Sequence, residues 1–260
     1  MAYDELGHED MKKSFICLVI ALGFAAQSGF SLPVTLTGTV RDFVNPAVTG
    51  YSAHPDFEGT IGGLQTGAIK NTLGVDDKPV WNTLKPGFTS QANFDQWYRD
   101  TAGVNVSAPL SLTLTEGPGG IYSYSSSAFF PIDNQLLGNQ GRSHNFHFTF
   151  ELHNLFTYVP GQTFDFTGDD DLWLFINDQL VVDLGGVHGA LSSSVNLDTL
   201  GLTPGSTYNF DLFFAERHTS QSNFKVQTSI LLRPTQVPEA GSTFMLLAVS
   251  GVALAMFKRK

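Results

Sequence analysis

Phe146, Phe148, Phe150 and Leu152 alternate with His147, Thr149 and Glu151, and this period of two predicts a strand with one buried face. Tyr208, Phe210, Leu212 and Phe214 alternate with Asn209, Asp211 and Phe213 in the same way. Residues 172–176 are apolar at every position, which predicts a strand buried on both faces, and Asn177-Asp178 predicts a tight turn into a partner strand at 180–183. Shorter strands are expected at 34–36, 112–115, 163–167 and 224–231, with a short helical or turn segment at 93–100. No long stretch with the helical period of 3.6 lies between the two chain ends. The pattern predicts an all-β domain over 32–232, an antiparallel sandwich or barrel. Residues 51–87, rich in Gly, Asp, Pro and Asn, read as a long decorated loop of that domain.

The ends follow a different rule. Met11-Lys12-Lys13, the apolar run 15–26 and Gln27-Ser28-Gly29 have the order of a secretory signal, predicted over 1–28 with translation starting at Met11. At the other end Val237-Pro238-Glu239 precedes an uncharged run, 244–257, and Lys258-Arg259-Lys260. As a helix, 240–257 would reach about 27 Å, enough to span a bilayer, with the basic terminus inside. The segment 237–260 resembles a PEP-CTERM sorting signal, although Ala240 stands where that motif has its second proline. The resemblance implies processing by an exosortase-type enzyme and release to the cell envelope or matrix; a plain single-pass membrane anchor is the other reading.

Composition narrows the partners. Only 15% of residues are charged, 22 are Phe, and the formal net charge is -10. Aromatic rings therefore fill much of the core, and a sequence-independent grip on a phosphate backbone is excluded. Neutral glycans and divalent cations are better matched. Cys17, the single cysteine, lies in the predicted leader, so the processed chain has no disulfide or thiol chemistry.

The candidate site is Asp169-Asp170-Asp171, between the strands at 163–167 and 172–176. Adjacent carboxylates repel one another. Calcium, which takes six to eight oxygen ligands, would relieve them, and a solvated acidic turn fits the spacing equally well. The stretch 164–188 is similar to the PA14 family, and more closely to its fibro-slime branch. The motifs are Asp169 to Trp173, Asp183-Leu184-Gly185-Gly186-Val187-His188, and Phe213 to His218 followed by Ser222-Asn223-Phe224. That resemblance implies a PA14-like fold in which an Asp-Asp turn, with a cis peptide, holds calcium and through it sugar hydroxyls. Carried over, Asp169 and Asp170 are the ligand pair, but Asp171 stands where the family commonly has a small residue, which leaves open which two of the three carboxylates ligate, and Asn223 is the downstream candidate. Asp183 and His188 are the further ligand-binding candidates, with packing against the Gly185-Gly186 turn the simpler role for His188.

Adjacent strand residues face opposite ways, so Glu216 and Arg217 do not share one substrate and a structural role is expected of them. Trp97, Tyr98 and Trp173 would stack on sugars if exposed; Trp173, in an apolar strand, is expected in the core. The sequence has no catalytic signature for hydrolysis, phosphate or dinucleotide chemistry. The chain thus reads as a non-enzymatic, exported, calcium-dependent carbohydrate-binding or adhesion module. The alternatives are a structural matrix protein and, less favoured, a glycoside hydrolase using Asp183 or Glu216.

Overall fold

Alternation builds the strands and antiparallel pairing joins them. The computed structural model describes residues 33–59 and 61–235. In chain order the elements are β1 (Val34–Asp42), α1 (Gln91–Phe94), β2 (Val106–Glu116), β3 (Tyr122–Ser126), β4 (Phe148–Thr157), β5 (Thr163–Gly168), β6 (Asp171–Ile176), β7 (Gln179–Leu184), β8 (Leu191–Asn196), β9 (Thr207–Glu216), β10 (Phe224–Thr228) and β11 (Arg233–Pro234). The predicted leader and the sorting segment with Val237, Pro238 and Glu239 lie outside the described residues. Among the described residues no helix is long and apolar enough to cross a membrane.

Every strand pair is antiparallel. The order is β7-β6-β9-β4-β1-β2-β3-β10-β5-β8, with β11 beside β4. The two end strands, β7 and β8, touch without forming a ladder, so the wall is a nearly closed barrel. Its all-β character agrees with the sequence pattern.

The β6–β7 hairpin forms as expected. Asn177 and Asp178 take φ values of 51° and 62°, the left-handed pair that a type I′ turn requires. β6 is buried at all six positions. Its two faces meet two different cores. Leu172, Leu174 and Ile176 point inward to Phe150, Phe164, Phe210 and Phe214. Trp173 and Phe175 point outward into a second cluster with Phe88, Phe94, Trp97 and Phe213. That cluster is supplied by the loop-rich segment before β2, which folds over the outside of β6 and β9. The segment is bound there by bridges such as Thr72 to Gln179 and by α1, whose Ser90 cap accepts the Asn93 N–H at 3.2 Å.

The structure corrects several expectations. β1 and β2 run well past 34–36 and 112–115, because Thr35 and Thr37 face Thr113 and Ser111 on the solvent side and keep the ladder going with polar residues. β4 begins at Phe148 and β10 ends at Thr228. β3, β8 and β11 were not expected. β8 reads Leu-Ser-Ser-Ser-Val-Asn, and pairing with β5 rather than its own apolar content makes it a strand. Trp97 and Tyr98 are buried at 0% and 1% exposure, which removes them as sugar-stacking platforms.

Candidate functional site

β5 ends at Gly168 because nothing larger fits. A Cβ there would meet the Asn223 carbonyl and the Phe166 ring, each at 2.5 Å. The backbone before β10 thus lies directly against the β5–β6 turn. The Asp169–Asp170 peptide in that turn is cis.

The three carboxylates go to different places. Asp169 accepts from the Asn223 backbone N–H on one oxygen and from Asn223 Nδ2 at 2.9 Å on the other. Asp170 accepts from the His188 N–H at 3.2 Å and the Arg217 N–H at 3.1 Å. Asp171 points outward instead. Arg217 forks onto it, Nε to Oδ2 at 2.6 Å and Nη2 to Oδ1 at 3.2 Å, and the Gly186 N–H adds a bond at 2.5 Å. Gly186 has φ of 104°, and a Cβ would strike the Gly63 carbonyl. The guanidinium also lies 4.8 Å and 4.6 Å from the ring centres of Phe88 and Trp97 and donates to the Asp56 and Gly87 carbonyls. Asp171 is therefore committed to a buried ion pair that fixes the outer cover, leaving Asp169 and Asp170 as the pair at the turn.

Burial at this turn is close to complete: Asp169 is 3% and Asp170 5% exposed. Burial pushes the Asp170 carboxyl up to about 8, against the pull of Arg217. Glu216, on the inner face at the end of β9, is fully buried, and neither carboxylate oxygen has a hydrogen-bond partner. The neighbouring Ser222 hydroxyl donates to the Phe129 carbonyl at 2.8 Å instead. Burial, reinforced by Asp170 and Asp169, raises the Glu216 carboxyl well above its ordinary value.

Among the described residues no group of three or more His, Cys, Asp or Glu side chains is arranged to hold a metal ion. The donor set at the turn nevertheless fits a hard cation that uses few side chains. Each oxygen of Asp169 and Asp170 accepts one hydrogen bond, and a carboxylate oxygen carries two lone pairs. Among the described residues the guanidinium that acts on this pair, Arg217, is already spent on Asp171. Asp169, Asp170 and the Asn223 amide oxygen are the residues that would hold calcium, and calcium would supply there a positive centre for hydroxyl oxygens.

The other predicted residues are tied into the scaffold. Asp183 accepts from Trp173 Nε1 at 2.9 Å and the Gly67 N–H at 2.7 Å, holding the cover against β7. His188 serves the turn through its backbone N–H, while its ring nitrogens face the Gly189 and Leu184 carbonyls at 2.9 Å and 3.2 Å. Asp183 pairs across from the outward Trp173, and Glu216 pairs across from the inward Phe148. The structure does not bring those two carboxylates into one cleft. Trp173 is in the outer core at 0% exposure, as its strand pattern implied. Sequence reasoning missed the Asp171–Arg217 pair; its one signal was an arginine immediately after the long apolar run that ends β9 at Glu216.

Residues 144–238 match the PA14 domain family. Protein psiQ of Dictyostelium discoideum is 42% identical over 196 residues, 69% of this chain. Protein psiD of the same organism is 37% identical over 240 residues, 85% of this chain. The chain spans 20% of psiQ and 47% of psiD. Among solved structures, the PA14 domain of the MpAFP antifreeze protein aligns with 83% of this chain and all of its own length, at 13% identity and a TM-score of 0.35.

Proposed function

From a chain whose residues 144–238 match the PA14 domain, we propose an exported carbohydrate-binding or adhesion module in which calcium at the β5–β6 turn holds sugar hydroxyls. One observation carries this reading: Asp169, Asp170 and Glu216 are gathered in a nearly dry site, the last with both oxygens unpartnered, and Arg217, the guanidinium beside them, is engaged on Asp171. Crowded buried oxygens of this kind are stabilised by a positive ion among them. Asp169 and Asp170 are the side-chain ligands and Asn223 the amide ligand. The finer assignment to a fibro-slime domain rests on the motifs at Asp169, Asp183 to His188 and Phe213 to His218.

Calorimetric titration of the full chain with calcium, followed by a glycan array with and without chelator, tests it. Calcium at about a hundredfold excess over its Kd should stabilise the fold by about 2.7 kcal/mol, and Asp170→Asn should abolish the gain. Absence of both calcium-linked stabilisation and chelator-sensitive glycan signal overturns the reading. Calcium binding with a silent array favours a structural matrix protein, in which the ion stiffens the turn. Export through the leader at 1–28, and processing of the 237–260 segment by an exosortase-type enzyme, belong to the same proposal. The intact mass of the protein recovered from cells tests them: loss of both segments is the expected result.

A further inference from the structure

The β3–β4 loop brings a second group to the barrel end that carries the calcium turn. Phe224 pairs both with Ser126, the last residue of β3, and with Gly168, the last residue of β5. The loop therefore leaves the wall two strands from the Asp169–Asp170 turn, about 10 Å at ordinary strand spacing. It stays fastened at that end. The Phe129 N–H donates to the Ser222 carbonyl at 2.9 Å, and the Ser222 hydroxyl donates back to the Phe129 carbonyl at 2.8 Å, one residue before Asn223.

His144 is the informative residue of this loop. Its ring lies parallel to Phe130, with centroids 4.0 Å apart and planes at 9°, and meets the Phe146 ring edge-on at 5.7 Å. Nδ1 lies 2.6 Å from Asp133 Oδ2, while Asp133 Oδ1 accepts the Asn145 N–H at 2.7 Å. A carboxylate at that distance keeps the hydrogen on Nδ1 and makes Nε2 an acceptor in the neutral ring. The side chain is nevertheless 40% exposed, and Nε2 is open to solvent with no partner among the described residues. Exposed side chains ordinarily keep their rotamer freedom, and ordering them on binding weakens affinity. Here three contacts already order the ring in the free protein. Packing alone would be served as well by phenylalanine; the Asp133 bond adds a fixed rotation of the imidazole and a fixed position of Nε2. Asp133 also opposes an anion. A fixed ring beside a fixed acceptor suits a neutral ligand with an apolar face and hydroxyl donors, which is the chemistry of a sugar ring.

We propose that His144, held by Phe130 and Asp133, is the stacking and hydrogen-bonding platform for one sugar ring of a glycan whose neighbouring ring sits at the calcium turn. The inference rests on the calcium reading for that neighbouring ring alone, and the test separates the two. The full chain, ¹⁵N-labelled at histidine, is titrated with lactose, maltose and cellobiose, each in calcium and again in EDTA. The expected result is a saturable shift of the His144 ring nitrogens with at least one disaccharide in calcium. His144→Ala should weaken that binding about tenfold, and His144→Phe, which keeps the stack and loses Nε2, about threefold. Calcium affinity measured by calorimetry should be the same in both variants as in the parent chain. A His144 shift that persists in EDTA upholds the platform and removes calcium from its surroundings. No saturable His144 shift with any of the three disaccharides in either condition, or an affinity unchanged by His144→Ala, overturns the platform. Calcium-linked stabilisation without such shifts overturns the platform and leaves the calcium turn standing.

Discussion

The outside of the barrel has two unlike halves. On β6 and β9 the apolar outward residues are Trp173, Phe175, Phe213 and Ala215, and an outer layer with Phe88, Phe94 and Trp97 covers them. On β2, β3, β5 and β8 the outward residues are Ser111, Thr113, Thr115, Ser123, Ser125, Thr163, Thr167, Ser192 and Ser194, facing solvent or one another across the ladder. The inner faces of both halves contribute to one apolar core. What differs is whether a second layer of chain exists to exclude water. The covered half holds the buried ion pair, whereas the bare half holds solvent-facing contacts such as Thr167 to Ser192 at 2.8 Å and Ser194 to Asp165 at 2.5 Å. Sites with perturbed groups form where two layers meet and water is kept out.

Four substitutions or conditions would break or sharpen this contrast. The largest effect should come from Arg217→Met, which leaves Asp171 buried and unpaired and should cost about 3–5 kcal/mol in denaturant unfolding; Arg217→Lys, which keeps charge but not the fork, should recover only part of it. Phe213→Ala, next, empties space in the outer core and should cost about 3 kcal/mol by the same measurement.

The third is a pH effect at the edge of the cover. Burial alone would lower the His153 imidazole, but Asp211 and Glu151 outweigh it and raise it to about 9. The folded state thus holds this proton more tightly than the unfolded chain, whose histidines titrate near 6.5. Its stabilisation is complete below about pH 6.5 and is lost as pH rises through about 9, on the order of 2 kcal/mol. His147 runs the other way, since burial lowers it to about 4; its contribution is present above about pH 6.5 and lost as pH falls through about 4. Unfolding free energies should fall on the alkaline side, and His153→Gln should make that fall shallower; on the acid side the loss at His147 is opposed by Asp42, Asp170 and Glu216, whose raised carboxyls favour the fold as pH falls. Smallest of all, Thr113→Val and Ser125→Ala on the bare half should change stability by no more than about 0.5 kcal/mol. A loss above 2 kcal/mol at either position would show that this face is also covered.

The same contrast explains what the sequence disclosed. Residues 172–176 were legible as doubly buried because both layers press on them. β8 and β3 were not legible, since a strand with serine outside and few apolar residues inside has little alternation to read, and only its neighbours make it a strand. The acidic turn was visible as a crowd of carboxylates. Which of them faces inward was not, because that depends on Arg217, 46 residues away in sequence. The charge cluster of Lys78, His153 and Asp211 gave no sequence signal either, because its members come from three distant segments and each alone resembles an ordinary solvent-facing residue.

Arg217 also gives the turn an optical output. Its backbone N–H rests on Asp170 while its guanidinium lies over the indole of Trp97. A charge arriving at the turn alters the electric field across that ring, so the emission colour of an unlabelled sample registers the event at a residue no ligand touches.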